Sequence, residues 1–467
     1  MTPRAGGTNT GGAAIGPGIV LAFRSGGPLS EVRKPAARGD GLEITAEAGA
    51  RHDAVQQALA TEGHFLPSDP SSGPLSLIGG NVATRASGPH ALRYGAIDRY
   101  LTGVRVMLAD GTLIDTSRAS TMPVSLSRSL AELRDELRAD EGAVRFIRGR
   151  QGLKSSSGYD LASLLRDVPS ETWLTSLMAG SVGTLGIVLE ATFRALPVPP
   201  GKAALLLCFR ELAGACRLVG PLCELGAAAV EIMNARSVEL VRSRLPQTRL
   251  PEQEGHLLLV ELDGDSALER ARSGADVAKR SGELLAGEPV IRGAAEEIGG
   301  LWKARKLMLP LVRALSGRYQ ALSVVNDVGV PRARLAEAIV RLEGIFEHRS
   351  LEAFIYGHAG DGNLHLRPLF DTQDPGILEL VASVAEEVYG CVLELGGTVT
   401  GEHGMGMLRA PYLEREWGPA LTRLMAGVKR AFDPEGILNP GAMLPAQGLR
   451  EAVDRYFHRR TTEEPGA

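Results

Sequence analysis

The chain has 467 residues, enough for two or three domains with cores of their own. Its 51 basic and 55 acidic residues nearly balance, which excludes a protein living on phosphate contacts with nucleic acid. Apolar residues at 44% and charged residues at 23% exclude wholesale disorder. The first part of the chain reads as strand-rich and broken by glycine, with strands over residues 18–23 and 41–46 and helices over 52–61 and 126–138. Strands over 100–109 and 112–115 form a hairpin, because Asp110-Gly111 supplies the positive-φ turn. Leu196-Pro-Val-Pro-Pro-Gly201 marks a boundary. Beyond it strands at 202–209, 228–233 and 256–262 alternate with helices at 212–225, 266–281, 296–316 and 332–347, the pattern of an α+β domain. A last helix is expected over 419–431. The charged tail from Gln447 is expected to fray.

No apolar run approaches the ~18 residues of a membrane-spanning helix, and the start lacks the apolar stretch of a secretory signal. Cys208, Cys216, Cys223 and Cys391 contain no C-x-x-C pair, so neither a zinc ribbon nor a four-cysteine iron–sulfur site is expected. They read as small buried hydrophobes in a reducing cytoplasm.

Glycine, 57 of 467 residues, is well above the usual ~7%. Three loops concentrate it. Arg4-Ala-Gly-Gly-Thr-Asn-Thr-Gly-Gly12 lets backbone N–H groups converge on an anion, but it is neither a Walker loop nor a dinucleotide fingerprint. Pro67-Ser-Asp-Pro70 with the glycine-rich stretch from Ser76 to Gly88, and Gly180-Ser-Val-Gly-Thr-Leu-Gly-Ile187, are the others. Any one could be a plain turn; three in one half of a chain point to one extended ligand across them all.

The C-terminal half holds a second constellation. Tyr356-Gly-His-Ala-Gly-Asp-Gly-Asn-Leu-His365 sets His358 and His365 seven residues apart, and Gly401-Glu-His-Gly404 adds Glu402 and His403. A lone core histidine is usually structural, but two imidazoles and a carboxylate form a ligand set for Zn²⁺ or a similar divalent ion with an open position. Glu402 and His403 are expected to point to opposite faces of an extended segment. His52, His64, His90, His256, His348 and His458 are assigned no role.

Taken in order, Gly-Gly-Thr-Asn, Pro-x-Asp-Pro, Ile-Gly-Gly-Asn, Gly-Ser-x-Gly-Thr-Leu-Gly-Ile, Gly-His-x-Gly-Asp-Gly-Asn-x-His, Gly-Glu-His-Gly and Asn-Pro-Gly carry a resemblance. From about Arg4 to Leu444 the chain resembles the FAD-linked oxidases of the vanillyl-alcohol-oxidase superfamily. Within it, the likeness is to the group of glycolate oxidase subunits, D-lactate dehydrogenases and D-2-hydroxyglutarate dehydrogenases. The resemblance implies an α+β fold: a two-subdomain PCMH-type FAD-binding domain (residues 1–200) and a ferredoxin-like-type α+β substrate domain (201–400). A segment returning to the flavin (401–446) and a tail (447–467) would follow.

It further implies that Gly6, Gly7, Thr8 and Asn9 face the pyrophosphate. Pro67, Asp69, Gly79, Gly80, Asn81, Thr84 and Gly88 would line the isoalloxazine and ribityl side, Ile187 would lie by the adenine, and Asn439 would close the site. His358, His365 and Glu402 would hold the metal, His403 would be the base, and Arg305 would bind the substrate carboxylate. The FAD would be noncovalent, because Thr8 follows Gly6-Gly7 where tethering relatives place a histidine. Three departures stand out. Relatives usually carry a strand–helix–strand before the first glycine loop, whereas Met1 here lies three residues before Arg4, so the expectation is either a misassigned start or a compromised flavin site. Val182 replaces a usual glutamate. Val325 stands where hydroxyglutarate enzymes place a lysine, two before Asp327, which speaks against a dicarboxylate substrate.

The expected activity is metal-assisted oxidation of a D-lactate- or glycolate-like 2-hydroxy acid, in the cytoplasm or peripherally at the inner membrane face. Electrons would leave to a separate acceptor: a quinone, oxygen, an electron-transfer protein or an iron–sulfur subunit. Two alternatives stay open: a metal-dependent hydrolase that has lost FAD, and a truncated non-catalytic subunit of an oxidoreductase complex.

Overall fold

The computed structural model describes residues 1–462 apart from residues 40, 119–120, 249, 286 and 316, with side chains through residue 456. The chain forms two compact units: Met1–Ser87 with Ala96–Val198 and the segment from Glu402 onward, and Gly88–Gly95 with Pro199–Gly401.

In the first unit β1 (Thr2–Arg4) pairs in parallel with β2 (Val20–Ala22). The strands β3 (Ala36–Arg38), β4 (Gly41–Glu47), β5 (His64–Phe65), β6 (Leu101–Met107), β7 (Leu113–Asp115) and β8 (Ile187–Pro197) form an antiparallel sheet. Its order is β3-β4-β8-β6-β7, with β5 also on β8. Alternation builds its core face. Ile44 sits opposite Phe193 and Ala46 opposite Ala191, and all four are buried. The Asp110-Gly111 turn forms as expected, with Gly111 at φ +85°. Helices cover His52–Ala60 and Val124–Ala139. A further helix, Glu141–Gly149, starts on an Asp140 side chain that accepts from the Ala143 N–H. The last long helix extends further than expected, Leu413–Phe432, because two helices meet at Gly418 (φ +74°) just before Pro419.

The tail does not fray through its length. Leu449–Thr462 is helical, and Ala452, Val453 and Tyr456 bury one apolar side of it. Residues 463–467 lie outside the described residues.

The second unit is a large antiparallel sheet of β9 (Lys202–Phe209), β10 (Ala229–Met233), β11 (His256–Asp263), β12 (Val290–Arg292), β13 (Tyr319–Ala321), β14 (Val328–Gly329), β15 (Ala353–His358) and β16 (Asn363–Asp371). The order is β12-β9-β11-β10-β15-β16-β13, with β14 also on β16. Across one face a core joins Leu206, Met233, Leu259, Phe354 and Tyr356 to Val238, Val241, Ile298, Leu301, Trp302, Met308 and Val312 from the overlying helices. The expected 296–316 helix divides into Ala295–Lys306 and Met308–Arg313, since Pro310 has no N–H for the Lys306 carbonyl. Ser316, its expected end, lies outside the described residues. Arg332–Arg334 forms a short 3₁₀ turn, and the helix proper is Leu335–His348.

Candidate active site

In the first unit the three glycine loops pack on one another. A Cβ on Gly80 would come within 2.8 Å of Ala5 Cβ, and the Gly180 and Val182 N–H groups donate to the Val82 and Ala83 carbonyls at 3.0 and 2.8 Å. Glycine is therefore demanded by contact between loops as well as by any ligand. Together the loops line an open cleft whose empty space, part of it continuous with solvent, is about 690 Å³. Of the expected cofactor residues, Gly6, Gly7, Thr8, Asn9, Gly79, Gly80, Asn81, Thr84 and Ile187 line it. Among the described lining residues there is no Asp or Glu, and small side chains and backbone dominate. That chemistry fits an extended, anionic dinucleotide such as FAD.

Pro67 and Asp69 are not among the residues that line the cleft; Ser68 between them donates its hydroxyl to the Ala86 carbonyl at 3.0 Å. Gly88 belongs to the other unit. Asn439 stands behind the cleft wall. Its Nδ2 donates to the carbonyls of Ala13 (2.9 Å) and Val182 (2.7 Å), and it accepts from the Thr2 hydroxyl at 3.2 Å. Two of the lining side chains also bond protein. Asn9 donates to the His403 and Met405 carbonyls (2.7 and 3.1 Å) and accepts from the N–H groups of Gly11 and Ala13, both at 2.9 Å. Asn81 Nδ2 lies 3.1 Å from His52 Nδ1. Val182, a β-branched residue at φ +47°, is held in that strained conformation by its N–H to the Ala83 carbonyl (2.8 Å) and by Asn439.

The same unit holds Glu402 and His403. Glu402 Oε2 accepts from Lys154 Nζ at 2.9 Å and from the Ser87 hydroxyl at 3.0 Å. His403 Nδ1 lies 3.3 Å from the Thr10 hydroxyl. The expectation that these neighbours face opposite ways is corrected: His403 Nε2 lies 3.8 Å from Glu402 Oε1. Residues 401–403 lie in a bend rather than an extended strand, so the alternation of a strand does not apply.

In the second unit, one sheet face carries His358 and His365. Gly362 (φ +70°) lets β15 return tightly as β16; a Cβ there would meet the Val330 carbonyl oxygen at 2.0 Å. His358 then pairs across from Asn363, and Tyr356 from His365. This register sets the two histidines diagonally on one face. Their Nε2 atoms stand 3.4 Å apart. Each Nδ1 has a carboxylate or carbonyl partner: Glu231 Oε1 at 2.6 Å for His358, and the Asn326 carbonyl at 3.3 Å for His365. Two Zn–N bonds of ~2.0–2.1 Å at a tetrahedral angle would put their nitrogens ~3.3–3.4 Å apart. Outer-nitrogen partners of this kind orient metal-binding imidazoles. The pair fits a divalent ion.

Arg305 reaches the same face. Its Nε lies 2.6 Å from Glu231 Oε2 and its guanidinium 4.9 Å over the Tyr356 ring, while its buried Nη2 has no hydrogen-bond partner among the described residues. Glu231, directly opposite His358, was not singled out from sequence. The signal was there: a glutamate inside the apolar run Ala229–Met233. Glu261, in the apolar run of β11, is similar. It bonds Lys202 (2.7 Å), His90 (3.0 Å) and the Trp302 indole N–H. Burial alone would raise its carboxyl pKa, but His90 and Lys202 outweigh that and hold it at about 2. Asp327 accepts from Asn363 (2.8 Å) and Thr400 (2.7 Å).

Residues 198–443 match the family of FAD linked oxidases, C-terminal domain, and residues 1–117 match an FAD binding domain. The chain is 29% identical to the Glycolate oxidase subunit GlcD of Bacillus subtilis (strain 168), over 97% of this chain and 85% of that one. To a D-lactate dehydrogenase of Anaerostipes hadrus it is 27% identical, covering 92% and 81%. To a D-2-hydroxyglutarate dehydrogenase of Escherichia coli (strain K12) it is 29% identical over 96% of this chain but only 46% of that longer protein. In fold it is similar to 4-ethylphenol oxidase from Gulosibacter chungangensis, at a TM-score of 0.64 and 16% identity, covering 95% of this chain and 84% of that one. It is also similar to alkyldihydroxyacetonephosphate synthase (TM-score 0.59, 16% identity, 94% and 71% covered). Among the described residues no helix is long and apolar enough to cross a membrane. With a matched family spanning more than half its length, the chain belongs to the FAD-linked oxidases.

Proposed function

We propose that the protein oxidises a small 2-hydroxy acid of the D-lactate or glycolate kind to the 2-oxo acid, using noncovalently bound FAD and a divalent metal, with zinc the best match to the donors. In this reading residues 1–200 and 401–446 serve the flavin and residues 201–400 the substrate. The observation that carries it is the His358–His365 pair, whose Nε2 atoms stand 3.4 Å apart with both outer nitrogens engaged. Relatives named for glycolate, D-lactate and D-2-hydroxyglutarate supply the substrate class.

His358 and His365 would hold the metal, and the family resemblance implies Glu402 as a further ligand. A metal there lowers the pKa of a bound hydroxyl. Arg305 offers its unpaired Nη2 to the substrate carboxylate. His403 takes the hydroxyl proton, with Thr10 steadying its Nδ1. Bound FAD supplies the acceptor for the hydride that leaves the Cα carbon. Glu231 binds both His358 and Arg305, so it aligns metal ligand and substrate anchor together. Electrons then pass to a separate acceptor such as a quinone, oxygen, an electron-transfer protein or an iron–sulfur subunit.

The test is dye reduction by purified, flavin-loaded protein over a panel of 2-hydroxy acids of both hands. Turnover confined to one hand is the expected result. Flavin-loaded, metal-replete protein that reduces no dye with any of them would refute the proposal.

A further inference from the structure

The cleft in the first unit carries one flat apolar surface to which the sequence assigns no role. Among the described lining residues there is no charged side chain of either sign, and Phe23 is the single aromatic. Such a lining meets a diphosphate with backbone N–H groups and short polar side chains. Flat apolar contact then has to supply much of the remaining affinity for a dinucleotide. Phe23 is half-buried, although Ala22 and Arg24 on either side of it are exposed.

Backbone pairing fixes where along the cleft this ring stands. β2 runs parallel to β1 with Ala22 beside Arg4, and the next N–H, that of Phe23, donates to the Arg4 carbonyl at 2.8 Å. Phe23 therefore sits beside the start of the first glycine loop, where Pro3 and Ala5 also line the cleft. The loop runs on from Ala5 to Thr10. Its far end holds the proposed base. Asn9 Nδ2 donates to the His403 carbonyl at 2.7 Å, and the Thr10 hydroxyl lies 3.3 Å from His403 Nδ1. A ring that accepts a hydride belongs at that end, beside the base. Phe23 stands at the other.

We infer that Phe23 is the platform on which the adenine ring of FAD stacks, and that through it the cleft takes the dinucleotide in preference to FMN. The inference rests on the FAD reading and extends it to this residue; it does not depend on which hydroxy acid is oxidised. A purine offers a flat π-face, and stacking on an aromatic side chain needs no charged partner. The uncharged lining suits that mode of binding. Ile187, which the family resemblance puts by the adenine, lines the same cleft.

The test titrates the full-length protein, freed of flavin by dialysis against a mild chaotrope, with FAD, ADP and FMN in a calorimeter. FAD is expected to bind more tightly than FMN, and ADP to compete with FAD. Phe23→Leu should weaken FAD and ADP about 10-fold each and leave FMN where it was, while Phe23→Tyr keeps all three affinities. The flavin-free melting temperature of Phe23→Leu should match that of the wild type. Equal loss of FAD and FMN overturns the inference, because the ring would then face the isoalloxazine. Unchanged FAD affinity in Phe23→Leu overturns it, as does a wild type that binds FMN as tightly as FAD. A sharp fall in the flavin-free melting temperature overturns it too, by making the ring a part of the fold. Wild-type protein that binds no FAD would overturn the FAD reading itself.

Discussion

The Nε2 atoms of His358 and His365 face each other at 3.4 Å across adjacent strands. Glu231 holds the far nitrogen of the first ring, and the Asn326 carbonyl faces that of the second. Such a pair asks for an ion between its rings. Replacing either histidine by alanine should therefore abolish stoichiometric metal in elemental analysis while flavin content holds. Glu231→Gln should weaken metal binding by ~10–100-fold, the usual effect of losing an outer partner. Full metal retention in both histidine variants would place the ion elsewhere.

Removing the metal should stop turnover without unfolding the protein. His358 and His365 sit on a β-hairpin inside a large sheet whose core is built from apolar side chains, so no ion is needed to organise it. Chelation should leave the thermal transition nearly where it was. Collapse of the fold on chelation would make the ion structural.

His403→Ala should cut turnover ~10²–10⁴-fold with metal and flavin both retained. The 3.8 Å approach of its Nε2 to Glu402 Oε1 makes the metal measurement decisive. Loss of metal to the extent seen in Glu402→Ala would assign His403 as a ligand rather than the base.

FAD should come away on acid precipitation. The described lining of the cleft contains no histidine, cysteine or tyrosine able to tether it. Gly183→Ala should impair flavin binding and cost about 1–3 kcal/mol, because its Cβ would press on Pro3 at 2.4 Å and its φ is +73°. Yellow colour left in the acid pellet would contradict the first claim, and an unchanged melting temperature with full flavin the second.

Acid should weaken the second unit through Glu261. With its pKa held at about 2, the carboxylate stabilises the fold above the ordinary value of ~4.3 and loses that contribution as pH falls toward 2. Thermal melts across that window should converge for wild type and Glu261→Gln at the acid end. Above pH ~5 the variant should be weaker by ~3 kcal/mol. A constant gap at every pH would show that Glu261 is not the titrating group.

Legibility in the sequence followed distance along the chain. The glycine loops and the His358–His365 motif are local spacings, and their clustering could be read directly. The Asp110-Gly111 hairpin was visible for the same reason. Glu231 meets His358 through the register of β10 and β15, which no local pattern reports. The opposed directions expected for Glu402 and His403 failed because residues 401–403 form a bend rather than an extended strand. Asn9 and Asn81 carry the expected motifs, yet their amides brace protein, because buried amides take the partners nearest to them.

The most direct test of the account is anaerobic mixing of flavin-loaded, metal-replete protein with each 2-hydroxy acid, followed by the absorbance of oxidised flavin. The account predicts that the band bleaches fully with one enantiomer of a suitable acid, that an equivalent of 2-oxo acid appears, and that His403→Ala slows the bleaching. A flavin that stays oxidised in the presence of every such acid, in protein shown to carry its metal, would contradict it.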